Sequence, residues 1–295
     1  MSAKKLYIVL LSYHDSNGGA GIAAGRLKVA LEKVGHQVDY IVREKASTSD
    51  ALKFGNGIIS WLKFIAERLF FLRFEKEKSI RFLFNPGVFG SDISKHPLIQ
   101  KADIVHMHWV NFGFLSVSDI ASLTRLNKPV FWTLHDMWAF TGGCHHSGNC
   151  LNFQQSCGNC QEFIKLPSEN DLSHQLWAKK FEAFQAPNLH IITCSDWLKN
   201  RATSSSILKN HRIESIPNAI DTELFRPADK QNAKRILGLN PDKKYILFVA
   251  MRVNEAQDLL PRIRSAAIDA LREVVQPQIK TMLPNCLNHF KIAGR

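Results

Sequence analysis

Apolar residues along the chain follow two different spacings. Residues 5–12 contain Leu6, Tyr7, Ile8, Val9, Leu10 and Leu11 with no polar face, which predicts a strand buried on both sides. Residues 22–34 switch to helical spacing, with Ile22, Ala23, Leu27, Ala30, Leu31 and Val34 on one face. Further strand-like runs fall at 37–43, 103–107, 129–134, 189–194 and 245–250, with helical stretches between most of them. Doubly buried strands separated by helices predict an α/β fold with a doubly wound, parallel sheet.

The chain has 295 residues, 45% of them hydrophobic and 22% charged, which supports a sizeable core and excludes a disordered chain. At roughly 150 residues per domain the length suggests about two domains. The turn-rich segment from Pro217-Asn218-Ala219-Ile220-Asp221 to Phe225-Arg226-Pro227 reads as the boundary. Residues 1–216 are thus expected to form one domain, 217–227 a linker and 228–295 a fragment of a second domain. No apolar run reaches the ~18 residues of a membrane span, and the N-terminal run is too short for a signal peptide. A cytoplasmic location follows as the expectation. The net charge of +12 points to an anionic partner.

Asn17-Gly18-Gly19-Ala20-Gly21 follows the first strand and opens the first helix. Glycines let a ligand approach the backbone, and a helix N-terminus offers free amides to an anion. The dinucleotide fingerprint is not met. Gly19, Gly21 and Gly25 are spaced one residue too long, and Asp39 falls inside the second strand instead of at its end. Further on, His135-Asp136 lies just past the 129–134 strand, where doubly wound sheets bind ligands. His135 can transfer a proton or bond a phosphate or sugar hydroxyl, and Asp136 can accept from a sugar hydroxyl. Trp109 and Asn111, past the preceding strand, would complete a pocket for a polyhydroxylated ligand. His106, inside that strand, reads as structural.

Cys144, Cys150, Cys157 and Cys160 are separated by five, six and two residues. The closing CxxC suggests a structural zinc site with four thiolates, His145 or His146 being possible substitutes; disulfides or free thiols in a covering loop are the alternative. Cys194 reads as buried and apolar. Residues 58–74 contain neither Gly nor Pro and predict a helix. Ile58, Trp61, Leu62, Ile65, Leu69 and Leu72 share a face expected to be core, while Phe64, Phe70, Phe71 and Phe74 project elsewhere. Seven Lys or Arg against three Glu lie between Lys53 and Arg81. Such a helix can be buried against the sheet or can lie on an anionic membrane.

These stretches together resemble the N-terminal half of a GT-B-fold glycosyltransferase of the group 1, or family 4, type. The bacterial branch that builds surface polysaccharides is the most similar. The resemblance is carried by Asp15-Ser16-Asn17-Gly18-Gly19-Ala20, by the run from Ala102 through His108-Trp109-Val110-Asn111, and by Trp132-Thr133-Leu134-His135-Asp136-Met137-Trp138 continuing into the cysteine loop at 141–166. Cys194-Ser195-Asp196-Trp197-Leu198 and the Pro217-to-Asp221 linker add to it. It implies a Rossmann-like acceptor domain facing a nucleotide-sugar domain, with retention of anomeric configuration and no catalytic metal. It also implies that Gly18 and Gly19 approach the sugar diphosphate, that His135 lines the reacting centre and that Arg252 contacts the donor. The acceptor would be a saccharide or a lipid-linked sugar, and the basic helix would suit the inner membrane face.

After Arg252 the chain departs from the family. No Lys follows until Lys280, and the family's spaced pair of Glu is absent. The expectation is a C-terminally truncated donor domain and impaired transfer, with a non-catalytic acceptor-binding or membrane-associated module as the alternative. Nucleic acid is not expected as a partner, because the basic residues are dispersed and no recognition motif occurs.

Overall fold

The computed structural model describes residues 4–243 and 245. The chain divides into two compact units, Met1–Arg226 and Pro227–Arg295. In the first unit the elements run β1 (Tyr7–His14), α1 (Gly18–Lys33), β2 (Gln37–Glu44), β3 (Leu52–Lys53), α2 (Gly57–Leu72), α3 (Pro97–Lys101), β4 (Ile104–Met107), α4 (Val117–Thr124), β5 (Val130–Leu134), α5 (Leu172–Ala183), β6 (Leu189–Thr193), α6 (Asp196–Ser204) and β7 (Ile213–Ser215). In the second unit the described element is α7 (Lys230–Ile236), capped by the Asp229 carboxylate, which accepts from the Gln231 and Asn232 amides. Arg252, and the strand expected at 245–250 apart from Tyr245, lie outside the described residues.

The seven strands form one sheet in the order β3-β2-β1-β4-β5-β6-β7, and every pairing is parallel. This is the doubly wound, Rossmann-like α/β sheet expected from the apolar runs. Its register aligns Leu11, Met107, Trp132 and Ile191 into one rung across four strands. All four belong to the larger core, and full burial of each such side chain contributes about 1.5–3 kcal/mol. A smaller core on the other face joins Ile8, Leu10, Val38, Tyr40 and Val42 to Ala24 of α1.

Asp39 is held inside β2, where its carboxylate accepts from the Tyr7 hydroxyl. That role leaves it unavailable to a dinucleotide ribose. Helix α2 corrects the expectation drawn from its periodicity. Ile58, Trp61, Leu62, Leu69 and Leu72 are exposed, whereas Phe71 is fully buried and Phe64, Phe70 and Phe74 are half-buried. The inward arc is fixed by stacking of Phe71 on Phe84, ring centres 4.7 Å apart, and by the buried Glu67 carboxylate.

Close approach between α1 and β1 depends on one glycine. A Cβ at Gly21 would sit 2.6 Å from the His14 carbonyl oxygen, while one at Gly19 would meet nothing within 4 Å. Gly21→Ala should therefore destabilise the fold by about 1–3 kcal/mol. Gly19→Ala should stay within about 0.5 kcal/mol of the parent, both read from urea unfolding midpoints.

Candidate functional site

The strand order reverses between β1 and β4, so the crevice of the sheet opens there, outside the carboxyl ends of β1, β4 and β5. Past β1, Asp15 is buried. It accepts from the Ala46 amide at 2.8 Å, the Ser47 amide at 3.2 Å and the Ser49 hydroxyl at 2.7 Å, and also from the Ser47 hydroxyl. Burial alone would raise its pKa, but these hydroxyl and amide donors hold the carboxyl well below the usual range. Asp15 thus pins the turn after β1 to the segment after β2. The next residues are left open. Asn17 caps α1 without a side-chain bond, Gly18 has φ +74°, and Asn17, Gly18 and Gly19 are exposed. The first turn of α1 carries no acidic residue to compete for its amides.

Three histidines form a ladder at the ends of β4 and β5. His106 Nε2 lies 2.8 Å from the Thr133 hydroxyl, and His108 Nδ1 lies 3.0 Å from His135 Nε2. The rings of His106 and His108 stack at 4.8 Å, and those of His108 and His135 at 5.3 Å. Burial lowers all three pKa values, that of His106 to about 4; His135 lowers His106 further, and His106 and His135 lower His108. Only at His135 does a neighbouring charge, Asp136, act in the opposite direction. The ladder is therefore neutral at physiological pH, and its imidazoles act as hydrogen-bond donors and acceptors, not as cations.

Asp136 gathers the surrounding loops. One oxygen accepts from the Trp109 indole at 2.7 Å and faces His145 Nδ1 at 2.8 Å; the other accepts from the Trp138 amide at 2.8 Å. Burial raises its pKa, but the charge and hydrogen bond of His145 outweigh this and keep the carboxyl ionised. Trp109, His145 and Trp138 thus take three of the acceptor positions of this carboxylate. Trp109, Phe112 and His145 pack into an aromatic platform, with ring centres 5.0 Å apart for Trp109–Phe112 and 5.7 Å for Trp109–His145. Phe112 holds a left-handed φ of +54°, a conformation costly for an aromatic residue and one that clusters at binding sites. Asn111 points elsewhere: it is buried beside Asn85, 3.4 Å away.

The structure brings His135 and Trp109, both expected at the site, beside His108, and the sequence had given no role to Asp15, His108 or Lys180. The His-x-His spacing of 106 and 108 places both on one strand face, and could have flagged His108. Lys180 of α5 carried no such signal. It is fully buried, donates to the Trp138 and Thr141 carbonyls at 2.6 and 3.0 Å, and lies over the Trp138 ring. Burial pushes its pKa down to about 7.

The zinc expectation is corrected. Cys144, Cys150, Cys157 and Cys160 line one pocket, yet among the described residues no group of three or more His, Cys, Asp or Glu side chains is arranged to hold a metal ion. Burial pushes the Cys144 thiol up to about 12 and the Cys157 thiol up to about 11. Cys144 and Cys160 instead pack against a satellite core of Phe71, Phe84, Phe163, Ile164, Leu172 and Leu176. The loop is closed by Asp171, which caps α5 and also accepts from the Cys160 amide at 2.8 Å.

The buried His106 makes stability depend on acidity. Its pKa is about 4 folded against 6.5 in a free side chain, so between those values the unfolded chain binds the proton first. Stability contributed by the neutral imidazole is full above pH 6.5 and lost as pH falls towards 4. The expected loss is of order 3 kcal/mol. In His106→Gln the slope of unfolding free energy against pH should flatten across that window, as measured by urea titrations at stepped pH.

Residues 17–224 match Glycosyltransferase Family 4. Over 185 residues the chain is 25% identical to an Escherichia coli (strain K12) protein named as a colanic acid biosynthesis glycosyl transferase, WcaC. That match covers 55% of this chain and 45% of the relative, so the chain spans under half of the relative's length. Among solved structures, a sucrose-phosphate synthase from Thermosynechococcus elongatus is similar over 81% of this chain and 54% of that one, at 15% identity and a TM-score of 0.43. The family match takes in the glycine turn after β1, the histidine ladder, Asp136 and the cysteine loop, and the chain belongs to glycosyltransferase family 4.

Proposed function

We propose that the protein transfers a sugar from a nucleotide-sugar donor to a polysaccharide or lipid-linked acceptor in cell-surface glycan synthesis. In this reading residues 1–216 are the acceptor domain. The observation that carries it is the neutral His135–His108 pair, set beside the ionised Asp136 in the crevice between β1 and β4. Transfer breaks the bond between the anomeric carbon and the nucleoside diphosphate oxygen and forms a bond from that carbon to an acceptor hydroxyl oxygen. The acceptor proton leaves, and negative charge grows on the departing diphosphate. An uncharged His135, oriented by His108, can hydrogen-bond the sugar or diphosphate as this charge develops. The open amides of Gly18 and Gly19 suit the diphosphate, and the Trp109–Phe112 platform suits the apolar face of a sugar ring. The relative named for colanic acid biosynthesis supports a surface polysaccharide as the product class. Among the described residues no helix is long and apolar enough to cross a membrane. We place the work at the cytoplasmic face of the inner membrane, where a lipid-linked acceptor is presented.

Sugar transfer by the 295-residue chain, followed as nucleotide release from a panel of nucleotide-sugars with lipid-extract acceptors, tests this. His135→Ala should lower turnover at least about 100-fold while leaving the circular dichroism spectrum unchanged. Asp136→Asn should lower it less, by loosening Trp109 and His145. Unchanged turnover in His135→Ala would remove His135 from the reacting centre. Absence of any donor turnover by the parent chain would overturn the transfer reading in favour of a binding module.

A further inference from the structure

His108 is the most enclosed member of the histidine ladder, only 2% exposed. Its backbone is held from both sides. The His108 amide donates to the Leu11 carbonyl of β1 at 2.8 Å, and its carbonyl accepts from the Trp132 indole of β5 at 3.0 Å. The ring is stacked between those of His106 and His135, with interplanar angles of 21° and 25°. Backbone and ring are thus fixed together, and the direction of each ring nitrogen is fixed with them.

The two nitrogens of His108 have unequal surroundings. Nδ1 lies 3.0 Å from His135 Nε2. Nε2 is buried and has no hydrogen-bond partner among the described residues. A neutral imidazole carries one hydrogen, on one nitrogen or the other. With the hydrogen on Nε2, His108 would bury an N–H that nothing accepts. With the hydrogen on Nδ1, the N–H is used and only a lone pair is left unpaired. Orphaned buried N–H groups are rarer in folded proteins than under-satisfied acceptors, so the second arrangement is favoured. The His108–His135 bond then runs in one direction, from His108 Nδ1–H to the lone pair of His135 Nε2.

That direction decides the state of His135. Its Nε2 must be bare, so its single hydrogen sits on Nδ1, the reverse of the ordinary preference of a free histidine. Among the described residues no protein group bonds His135 Nδ1, and this atom, unlike His108 Nε2, is not a buried orphan. Burial keeps both rings neutral, as the arrangement requires.

We propose that His108 is a positioning residue that fixes the tautomer of His135, leaving His135 with one free group, an Nδ1–H that can only donate. Such a donor can follow negative charge as it grows on an oxygen of the sugar or the departing diphosphate. It cannot take the proton of the acceptor hydroxyl, because the one lone pair of the His135 ring is already engaged by His108. The proton therefore leaves by another group. The part of the proposal that concerns the reaction rests on the sugar-transfer reading; the tautomer does not.

The test is nitrogen-15 magnetic resonance of the histidine rings in the 295-residue chain, at a pH where the ladder is neutral. The His135 signals are identified by their loss in His135→Gln. His135 should show its hydrogen on Nδ1 and a bare Nε2. His108→Leu, which removes the donor, should move that hydrogen to Nε2, and His108→Asn, whose amide can still donate, should keep it on Nδ1. In turnover, His108→Leu should lower kcat at least about tenfold with KM within about two-fold, and His108→Asn should recover most of the loss. Circular dichroism checks that both variants are folded, and the parent spectrum decides the tautomer should either misfold. A parent His135 with its hydrogen on Nε2 would overturn the proposal. So would an Nδ1 hydrogen that stays in place in His108→Leu, or a loss that falls on KM alone. Hydrogen on Nδ1 in a chain that turns over no donor would uphold the tautomer and overturn the transfer reading instead.

Discussion

The carboxylate of Asp136 ties together three segments that share no regular secondary structure. Trp109 follows β4, Trp138 opens the turn after β5, and His145 sits at the start of the cysteine loop. Each donates to the same charged group, so each is placed relative to the others. The Trp109 indole turns its ring towards Phe112 and His145, and the backbone carbonyl of Trp109 takes the Tyr13 amide of β1 at 2.7 Å. Charge-assisted bonds of this kind are roughly twice as strong as neutral ones, and leaving such a group without partners costs several kcal/mol.

Two further buried ionisable side chains do the same for loops that the sheet cannot reach. Glu67 gathers the amides of Gly87, Val88 and Phe89. Lys180 gathers the carbonyls of Trp138 and Thr141. Buried irregular backbone must find partners for its polar groups, and side-chain ions provide them where no strand or helix can. Burial opposes the charge on both groups, raising the pKa of Glu67 and lowering that of Lys180. These side chains therefore stand as fixtures for the loops more than as sources of net stability.

The central strands were legible because a parallel sheet covered on both faces leaves its mark as an unbroken apolar run, as in β1 and β5. The two edge strands β3 and β7 span two and three residues, too few for any period to register. The placement of His135 past β5 also followed from the pattern, since the strand end fixes the position. Helix α2 was legible as a helix but not in its orientation. Periodicity divides a helix into two arcs without saying which one faces inward, and the deciding contacts, from Glu67 to the amides at 87–89, lie about 20 residues away in sequence. The cysteine loop misled for a related reason: spacing counts residues, whereas ligation needs side chains converging on one point, and among the described residues no group of three or more His, Cys, Asp or Glu does so.

The strand order has a consequence for chain entropy. β1 meets β2 across a separation of about 30 residues, but it meets β4 only after about 96. Loop-closure entropy grows as the logarithm of length, so the first pairing costs about 3 kcal/mol and the second about 4 kcal/mol. The β1–β4 seam is the longest-range contact between neighbouring strands, and contacts of this kind slow folding. The crevice opens at that seam. The β1–α1–β2 unit can carry its glycine turn early, but the turn has no histidine ladder beside it until the distant strand has been threaded in, so a partly folded chain would hold one half of the site without the other.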